Sequence, residues 1–461
     1  KLKSPNSVSN MPAYDKKQGI ADLARMMKTL DQEVSRCSRC GMCQAVCPVY
    51  GLTGHEKDTA RGKMALLDGL MHEMFSDADG TADRLKHCLL CGSCGAGCPM
   101  NIDATVVFLR ARTIIEEFRR LSWWKRVLFR WLVAHPSRFD RFLAWASRLQ
   151  LLVVKQKPVQ RHAPGDRRSL LRFSDRHVVP LAPVPFHAMD RGKRAASEPA
   201  APASAAGRPV RAAFFVGCLL DKVFPETAKN IVDVLRKHGA AVIVPEAQAC
   251  CGMPVLAGGD REAFSRLMAH HLACFDPDQF DYLVTGCATC TAVIKKFWPE
   301  MTADRGAAVR RFAAELADKT YDISAFLVNI LAAADAATDV KDPAPMRDGR
   351  EIVTWHDPCH LAKTLGIRDE PRRLLRSDPA RLFREMPDAE ACCGMGGSFN
   401  LQYYKDSAAI GSQKVHAIRA SGANIVATGC PACMIQLTDM LARADLPVSV
   451  RHVMDLVAER K

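Results

Sequence analysis

Eighteen of the 19 cysteines in this 461-residue chain fall into four sets, and the spacing inside each set restricts the fold more than any other feature. Cys37, Cys40, Cys43 and Cys47 form C-x2-C-x2-C-x3-C ahead of Pro48, and Cys88, Cys91, Cys94 and Cys98 repeat it ahead of Pro99. Cys218, the adjacent pair Cys250 and Cys251, and Cys287 with Cys290 make a five-cysteine set. Cys359, Cys392 with Cys393, and Cys430 with Cys433 make a second with nearly the same gaps, and Cys274 is left over. Disulfide frameworks concentrate in small secreted domains short of core. A chain of this length that is 48% hydrophobic can bury a sizeable core and divide it among two or three domains. C-x2-C spacings also suit a metal better than an intrachain disulfide. The thiols therefore read as metal ligands in a reducing, cytoplasmic compartment.

The run C-x2-C-x2-C-x3-C-P holds cubane [4Fe–4S] clusters, and in paired runs the fourth cysteine ligates the other cluster. That rule assigns Cys37, Cys40, Cys43 and Cys98 to one cubane, and Cys88, Cys91, Cys94 and Cys47 to the other. Gly41, Gly92 and Gly95 let the loops approach the sulfurs, and Pro48 and Pro99 turn the chain away after the last ligand. Zinc also accepts four cysteines, but two identical successive runs favour iron. In the five-cysteine sets, adjacent cysteines do not comfortably serve one tetrahedral metal, whereas two neighbouring irons take one each. Five thiolates exceed what one cubane needs, so the expectation is an unusual cluster or an open iron, with zinc possible in one set.

Helix-forming composition with apolar residues at helical spacing covers Asp22 to Leu30, Lys63 to Phe75 and Thr105 to Phe118. Residues 1–118 thus read as an α-helical ferredoxin domain with two cubane clusters. Residues 119–190 form a basic, Trp-rich helical segment, in which Trp123, Trp124, Trp131 and Trp145 alternate with cations. Indoles and cations on one helix suit an anionic membrane interface. A helix docked on the core and a partner-subunit surface stand as alternatives. Residues 191–209, low in complexity, read as a linker.

From residue 210 the sequence is an internal duplication: Cys218 to Cys359 is 141 residues, Cys250 to Cys392 is 142 and Cys287 to Cys430 is 143. β-type runs at Ala212 to Val216, Asp281 to Thr285, Glu351 to Trp355 and Asn424 to Thr428 each lead into a cysteine, with helical stretches such as Glu226 to His238 and Ser407 to Ala420 between them. Strand, cysteine, helix in alternation predicts a duplicated α/β unit with a largely parallel sheet, its ligands at the carboxyl ends of strands. The two copies span 210–345 and 346–461.

The net charge of +14 comes from one region: residues 110–211 carry 22 Lys/Arg against 7 Asp/Glu. No nucleic-acid-binding motif accompanies it, and nucleic acid is not an expected partner. No stretch reaches the ~18 apolar residues of a spanning helix, and no secretory segment opens the sequence. A cytoplasmic protein, peripheral on the inner face of the membrane, is expected.

The pattern C-x31-C-C-G-x34-C-x2-C from Cys218 to Cys290 is similar to the cysteine-rich CCG domain. That domain occurs in heterodisulfide reductase catalytic subunits and in iron–sulfur subunits of glycolate, lactate and anaerobic glycerol-3-phosphate dehydrogenases. The order of two cubanes and then two CCG domains resembles the fused iron–sulfur subunit of that superfamily over nearly the whole chain. Thr59-Ala-Arg-Gly-Lys-Met-Ala-Leu, His356-Asp-Pro-Cys-His-Leu-Ala-Lys and Ala427-Thr-Gly-Cys-Pro-Ala-Cys resemble glycolate oxidase iron–sulfur subunits. The resemblance implies a choice. In the dehydrogenases, a flavoprotein partner oxidises the hydroxy acid and this subunit carries electrons toward quinone or a membrane cytochrome b-type subunit. In heterodisulfide reductases, a noncubane [4Fe–4S] cluster on five cysteines cleaves the disulfide, which would make Cys250, Cys251, Cys392 and Cys393 catalytic here. Both sets are complete, which leans toward the second type. No Gly-x-Gly-x-x-Gly follows a strand, so electrons must come from a partner.

Smaller features remain. His356 and His360 flank Cys359 and suit either a turn-and-cap role or hydrogen bonding to cluster sulfur. Cys274 reads as a buried structural thiol. Asp221 and Lys222 read as substrate contacts or as solvated residues.

Overall fold

A computed structural model of the chain describes residues 16–119, 121–153, 171–173, 176–190, 210–303, 305–332 and 350–460. The linker expected over 191–209 lies outside the described residues. The chain divides into two compact units: residues 1–138, 247–278 and 293–318, and residues 139–246, 279–292 and 319–461.

The first unit is helical. Its central helix, Ala104–Arg119, is buried on all sides from Ala104 to Glu116, as a helix enclosed by its neighbours must be. The charges it buries are paired: Arg110 with Glu33, and Glu116 with Lys86 at 2.7 Å. Thr59 starts the helix Ala60–Met71 by accepting from Gly62 N at 2.9 Å. The helix expected to reach Phe75 stops at Met71, where the His72 N–H closes the last turn on Asp68 O and Leu70 O. In the same unit Asp260 caps Arg261–Cys274 and forms an ion pair with Arg130 at 3.0 Å.

The second unit holds a short antiparallel ribbon, Leu171–Phe173 (β1) with Arg176–Val178 (β2), and two four-stranded sheets. The first sheet is built from Val210–Phe215 (β3), Ala240–Ile243 (β4), Tyr282–Thr285 (β5) and Thr320–Asp322 (β6), in the order β4-β3-β5-β6. The second has Glu351–Trp355 (β7), Arg381–Phe383 (β8), Ile425–Thr428 (β9) and Ser449–His452 (β10), in the order β10-β9-β7-β8. Every pairing in both sheets is parallel. The two orders are the same topology read from opposite edges, so the duplication is a duplication of fold. The central strands read as near-continuous apolar runs, as strands covered on both faces do: β9 is wholly buried, and β3 is buried from Ala212 onward. Both central strands of each sheet run directly into a cysteine, β3 into Cys218, β5 into Cys287, β7 into Cys359 and β9 into Cys430. The copies are tied together within this unit: Ala288 N donates to Gly429 O at 3.0 Å and His452 Nε2 to Gly286 O at 2.9 Å.

Candidate metal centres

In the first unit the two C-x2-C-x2-C-x3-C loops share one backbone shape. Arg39 and Leu90, each just before the second cysteine, and Gly41 and Gly92, each just after it, all have positive φ. Left-handed residues on both sides of the cysteine curl the loop inward and turn successive N–H groups toward one point, the arrangement that favours anionic sulfur. A side chain costs strain there, tolerated at Arg39 and Leu90 and avoided at the glycines. Gly95 lies instead inside the short helix Ser93–Ala96, and its part is helical.

Cys37, Cys40, Cys43 and Cys98, with Cys94, line one cavity of about 430 Å³ including its open mouth. Cys47, Cys88, Cys91 and Cys94 line a second of about 420 Å³. Backbone amides reach the sulfurs: Arg61 N to Cys43 Sγ at 3.3 Å, Tyr50 N to Cys47 Sγ at 3.5 Å and Leu90 N to Cys88 Sγ at 3.4 Å. Burial pushes the Cys47 thiol up to about 11 against the Tyr50 N–H, so in a metal-free chain it holds its proton. A thiol of that kind ionises when a metal takes the sulfur. The donor set, the cavities and the amides all fit cubane clusters.

The residues behind these sulfurs were not legible in the sequence. Lys63 is 1% exposed and its Nζ donates to the Asp58 carbonyl oxygen, the oxygen that also accepts from Cys47 Sγ at 3.7 Å. Asp58 binds His87 Nδ1 at 2.8 Å and Thr53 Oγ1 at 2.8 Å. Those hydrogen bonds, with the charge of Lys63, outweigh burial and lower its carboxyl. Arg112, also buried, donates to the carbonyls of Leu85, Cys88 and Ala257. Cys250 and Cys251 belong to this unit too, and both their carbonyls are clamped, by His271 Nε2 at 3.0 Å and Trp298 Nε1 at 2.9 Å. Burial pushes His271 down to about 4, so it donates as a neutral imidazole. Cys274 is half-buried, with its Sγ 3.1 Å from Ala247 O and 3.3 Å from His270 Nε2.

In the second unit a line of buried sulfurs crosses the boundary between the copies. Cys430 lies within hydrogen-bond reach of Cys287 and Cys433, and Cys393 of Cys392 and Cys433; the S–H groups of these neighbours, with the single proton of Cys433 shared between the two, hold the thiols of Cys430 and Cys393 well below their usual range. Cys287 is thereby brought against the second set, and Thr289 Oγ1 lies 3.6 Å from Cys430 Sγ and 3.3 Å from His360 Nδ1. Cys290 lies beside Gly217, where a Cβ would come within 3.0 Å of its sulfur. Cys218 and Cys359 sit half-buried at the ends of β3 and β7.

The segment around Cys359 is pinned by its neighbours. Trp355 Nε1 donates to Asp357 Oδ1 at 2.7 Å, and Arg372 takes both Asp357 oxygens at 2.9 and 2.7 Å. Lys414, 1% exposed, donates to the carbonyls of Asp388 and Ala389. Burial brings it down to about 8, against the pull of Cys393 and Cys392. His356 forms no side-chain cap; burial holds its imidazole neutral, down to about 3. Asp221 and Lys222 are held in ion pairs rather than left to solvent. Lys222 bridges Asp221 at 2.7 Å and Asp140 at 2.9 Å, and Asp221 also binds His187 at 3.0 Å. Burial would raise the Asp221 carboxyl, but His187 and Lys222 prevail and hold it at about 2.

Paired cysteine-lined cavities and a row of buried thiols at strand ends define a redox protein of the iron–sulfur class. The comparisons with known proteins agree. The 4Fe-4S dicluster domain matches residues 33–102, and the cysteine-rich CCG domain matches residues 212–295 and 353–438. A probable glycolate oxidase iron-sulfur subunit of Bacillus subtilis is 28% identical over 93% of this chain and 94% of its own length. Lactate utilization protein A 2 of Bacillus cereus is 28% identical over 54% of this chain and 98% of its own. One of the subunits of the fumarate reductase (CoM/CoB) of Methanothermobacter marburgensis is 34% identical over 54% of this chain and 46% of its own. The chain belongs to the family of CCG-domain iron–sulfur subunits, and it is an electron-transferring subunit of an oxidoreductase.

Proposed function

We propose that this chain carries electrons from a flavin-dependent hydroxy-acid dehydrogenase partner, of the lactate or glycolate type, toward quinone or a membrane cytochrome. The observation that supports it most is the pair of cysteine-lined cavities, bordered by five and four cysteines with Cys94 common to both. In this reading Cys37, Cys40, Cys43 and Cys98 hold one cubane, and Cys88, Cys91, Cys94 and Cys47 hold the other. One or two noncubane clusters lie on Cys218, Cys250, Cys251, Cys287 and Cys290 and on Cys359, Cys392, Cys393, Cys430 and Cys433. When bound, the clusters supply one-electron carriers. The chain's own residues fix their positions and potentials: the amides of Tyr50, Arg61 and Leu90 stabilise thiolate, and buried Lys63 and Lys414 place positive charge beside it. Incubating the anaerobic complex of this chain and its flavoprotein with glycolate or L-lactate tests the donor. Either substrate should bleach the visible cluster absorption; no bleaching with both would overturn the assignment.

The complex is membrane-associated in this reading. No helix among the described residues is long and apolar enough to cross a membrane, so the contact is peripheral. Trp123, Trp124, Trp131 and Trp145 are 73%, 51%, 56% and 60% exposed. Lys125 lies over the Trp124 ring and Arg138 over the Trp131 ring. Exposed indoles beside cations suit the headgroup region of an anionic bilayer.

The unbroken row of thiols from Cys287 through Cys430, Cys433 and Cys393 to Cys392 supports a second reading, in which the chain reduces a disulfide at a CCG-domain cluster. Replacing Cys250 or Cys392 with Ser should then abolish disulfide reduction, and activity that persists unchanged would end this alternative.

A further inference from the structure

His356 is 1% exposed, and neither of its ring nitrogens has a hydrogen-bond partner among the described residues. An unsatisfied polar group in the interior costs about 1–3 kcal/mol, so an imidazole with both nitrogens unmet needs a reason to be there. The fold does not supply one. His356 stands three residues before Cys359, as Phe215 stands three before Cys218. The sheet register agrees: Phe215 pairs with Thr285, two residues before Cys287, while Trp355 pairs with Ala427, three before Cys430. One step along each strand therefore sets His356 opposite Thr428, where the first copy has Phe215 opposite Thr285. The first copy fills the position with a fully buried phenylalanine. The second copy has a histidine where a hydrocarbon packs equally well.

What faces the ring is sulfur. One ring nitrogen of His356, Cys393 Sγ and Cys433 Sγ all lie within 4.8 Å of one another. The buried cation Lys414 is committed to the carbonyls of Asp388 and Ala389. The ring's own backbone is anchored, His356 N donating to Ala427 O on β9 at 2.9 Å, so the imidazole is a stationary donor. A metal with bonds of ~2.3 Å to sulfur and ~2.0 Å to nitrogen draws tetrahedral ligands to roughly 3.5 Å from one another. The three atoms, all within 4.8 Å of one another, need to close by little more than ~1 Å at most to reach that spacing.

We propose that His356 is a nitrogen ligand in the second CCG copy, sharing a single metal ion with Cys393 and Cys433. The first copy then binds through thiolates alone, and the second has a mixed nitrogen and sulfur donor set. Imidazole with thiolate suits a divalent ion of borderline softness, iron or zinc. The inference rests on the reading of both five-cysteine sets as metal sites.

The test uses the full chain, purified anaerobically with ¹⁵N-histidine, beside His356→Phe, which restores the side chain of the first copy and protects packing. Iron, zinc and sulfide are counted per chain. Directly bound nitrogen is sought by pulsed paramagnetic resonance across a redox titration and by zinc-edge X-ray absorption. The expected result is a histidine nitrogen bound to iron, or a zinc–nitrogen shell at ~2.0–2.1 Å, in the wild type and lost in His356→Phe. Iron coupling assigns the site to a cluster, and a zinc shell assigns it to a lone ion. A wild type without bound nitrogen by either method, or a signal unchanged in His356→Phe, overturns the proposal. Iron sufficient for the cubanes but no other metal overturns it while leaving electron transfer standing; a chain with neither iron nor zinc removes both.

Discussion

Single side chains set the electrostatics around the sulfurs. Lys63 and Lys414 are buried cations held by backbone carbonyls, so they cannot swing away when the charge beside them changes. A fixed positive charge stabilises the reduced, more negative state of a neighbouring cluster. Lys63→Met should therefore lower the potential of the nearer cubane by roughly 100 mV, taking a pair ~6 Å apart at an effective dielectric near 20. A paramagnetic-resonance redox titration measures it, and an unchanged potential would mean that Asp58 already cancels the charge. At the end of β6, Asp322 caps Ile323–Asn329 through Ser324 N at 2.8 Å, yet its Oδ2 has no partner among the described residues. Burial pushes this carboxyl up to about 7, against the hydrogen bonds of Ser324 and Ala325. The folded chain thus holds the proton better than the unfolded chain, whose value is ~3.9. Stability is full below that value and falls as pH rises toward 7, by about 2 kcal/mol between pH 5 and 7. Asp322→Asn removes this dependence, so its melting temperature relative to wild type should climb from pH 5 to pH 8. A constant difference would contradict the assignment.

Elements put the ligands where chemistry can use them. Gly394, after the Cys392-Cys393 pair, has φ +89, and a Cβ there would come 2.4 Å from Ser407 O. Gly394→Ala should destabilise the chain by at least about 2 kcal/mol and loosen metal retention. Gly51→Ala, with nothing within 4 Å of its Cβ, should stabilise by about 0.5–1 kcal/mol. Thermal melts of both variants give the comparison. The helical turns at Trp123–Arg126 and Val127–Val133 bury Leu132 and Val133 while leaving three indoles outside. Changing Trp123, Trp124 and Trp131 to Ser should release the protein from anionic liposomes; binding that survives would make the face a partner surface. The sequence showed the strands that end in cysteines, because β3, β5, β7 and β9 are apolar and run into a marked residue. It did not show β4, β6, β8 and β10. They are outer strands of three or four residues, too short for periodicity to stand out.

Across the whole molecule, the cysteine spacing revealed the cavities because covalent distance along a loop limits how four thiols converge. The duplication was legible for the same reason. The residues that tune the sites carry no such signal. His87 lies 29 residues from Asp58, and His271 and Trp298 lie 21 and 47 residues from the cysteines whose carbonyls they hold, so these groups meet only in the folded chain. Lys63 stood inside a run that resembled the family, but nothing in that run says a lysine is buried. His356 was visible beside Cys359, yet its isolation from hydrogen-bond partners is a property of packing alone.

Every role proposed for the chain depends on iron and sulfide in the cysteine sets. Anaerobically purified chain, assayed for iron, acid-labile sulfide and zinc and titrated with dithionite under paramagnetic resonance, tests it most directly. The predicted result is a brown protein with at least about eight irons and eight sulfides, the content of two cubanes, whose signals grow in as it is reduced. A colourless chain with stoichiometric zinc and no signal on reduction would contradict it.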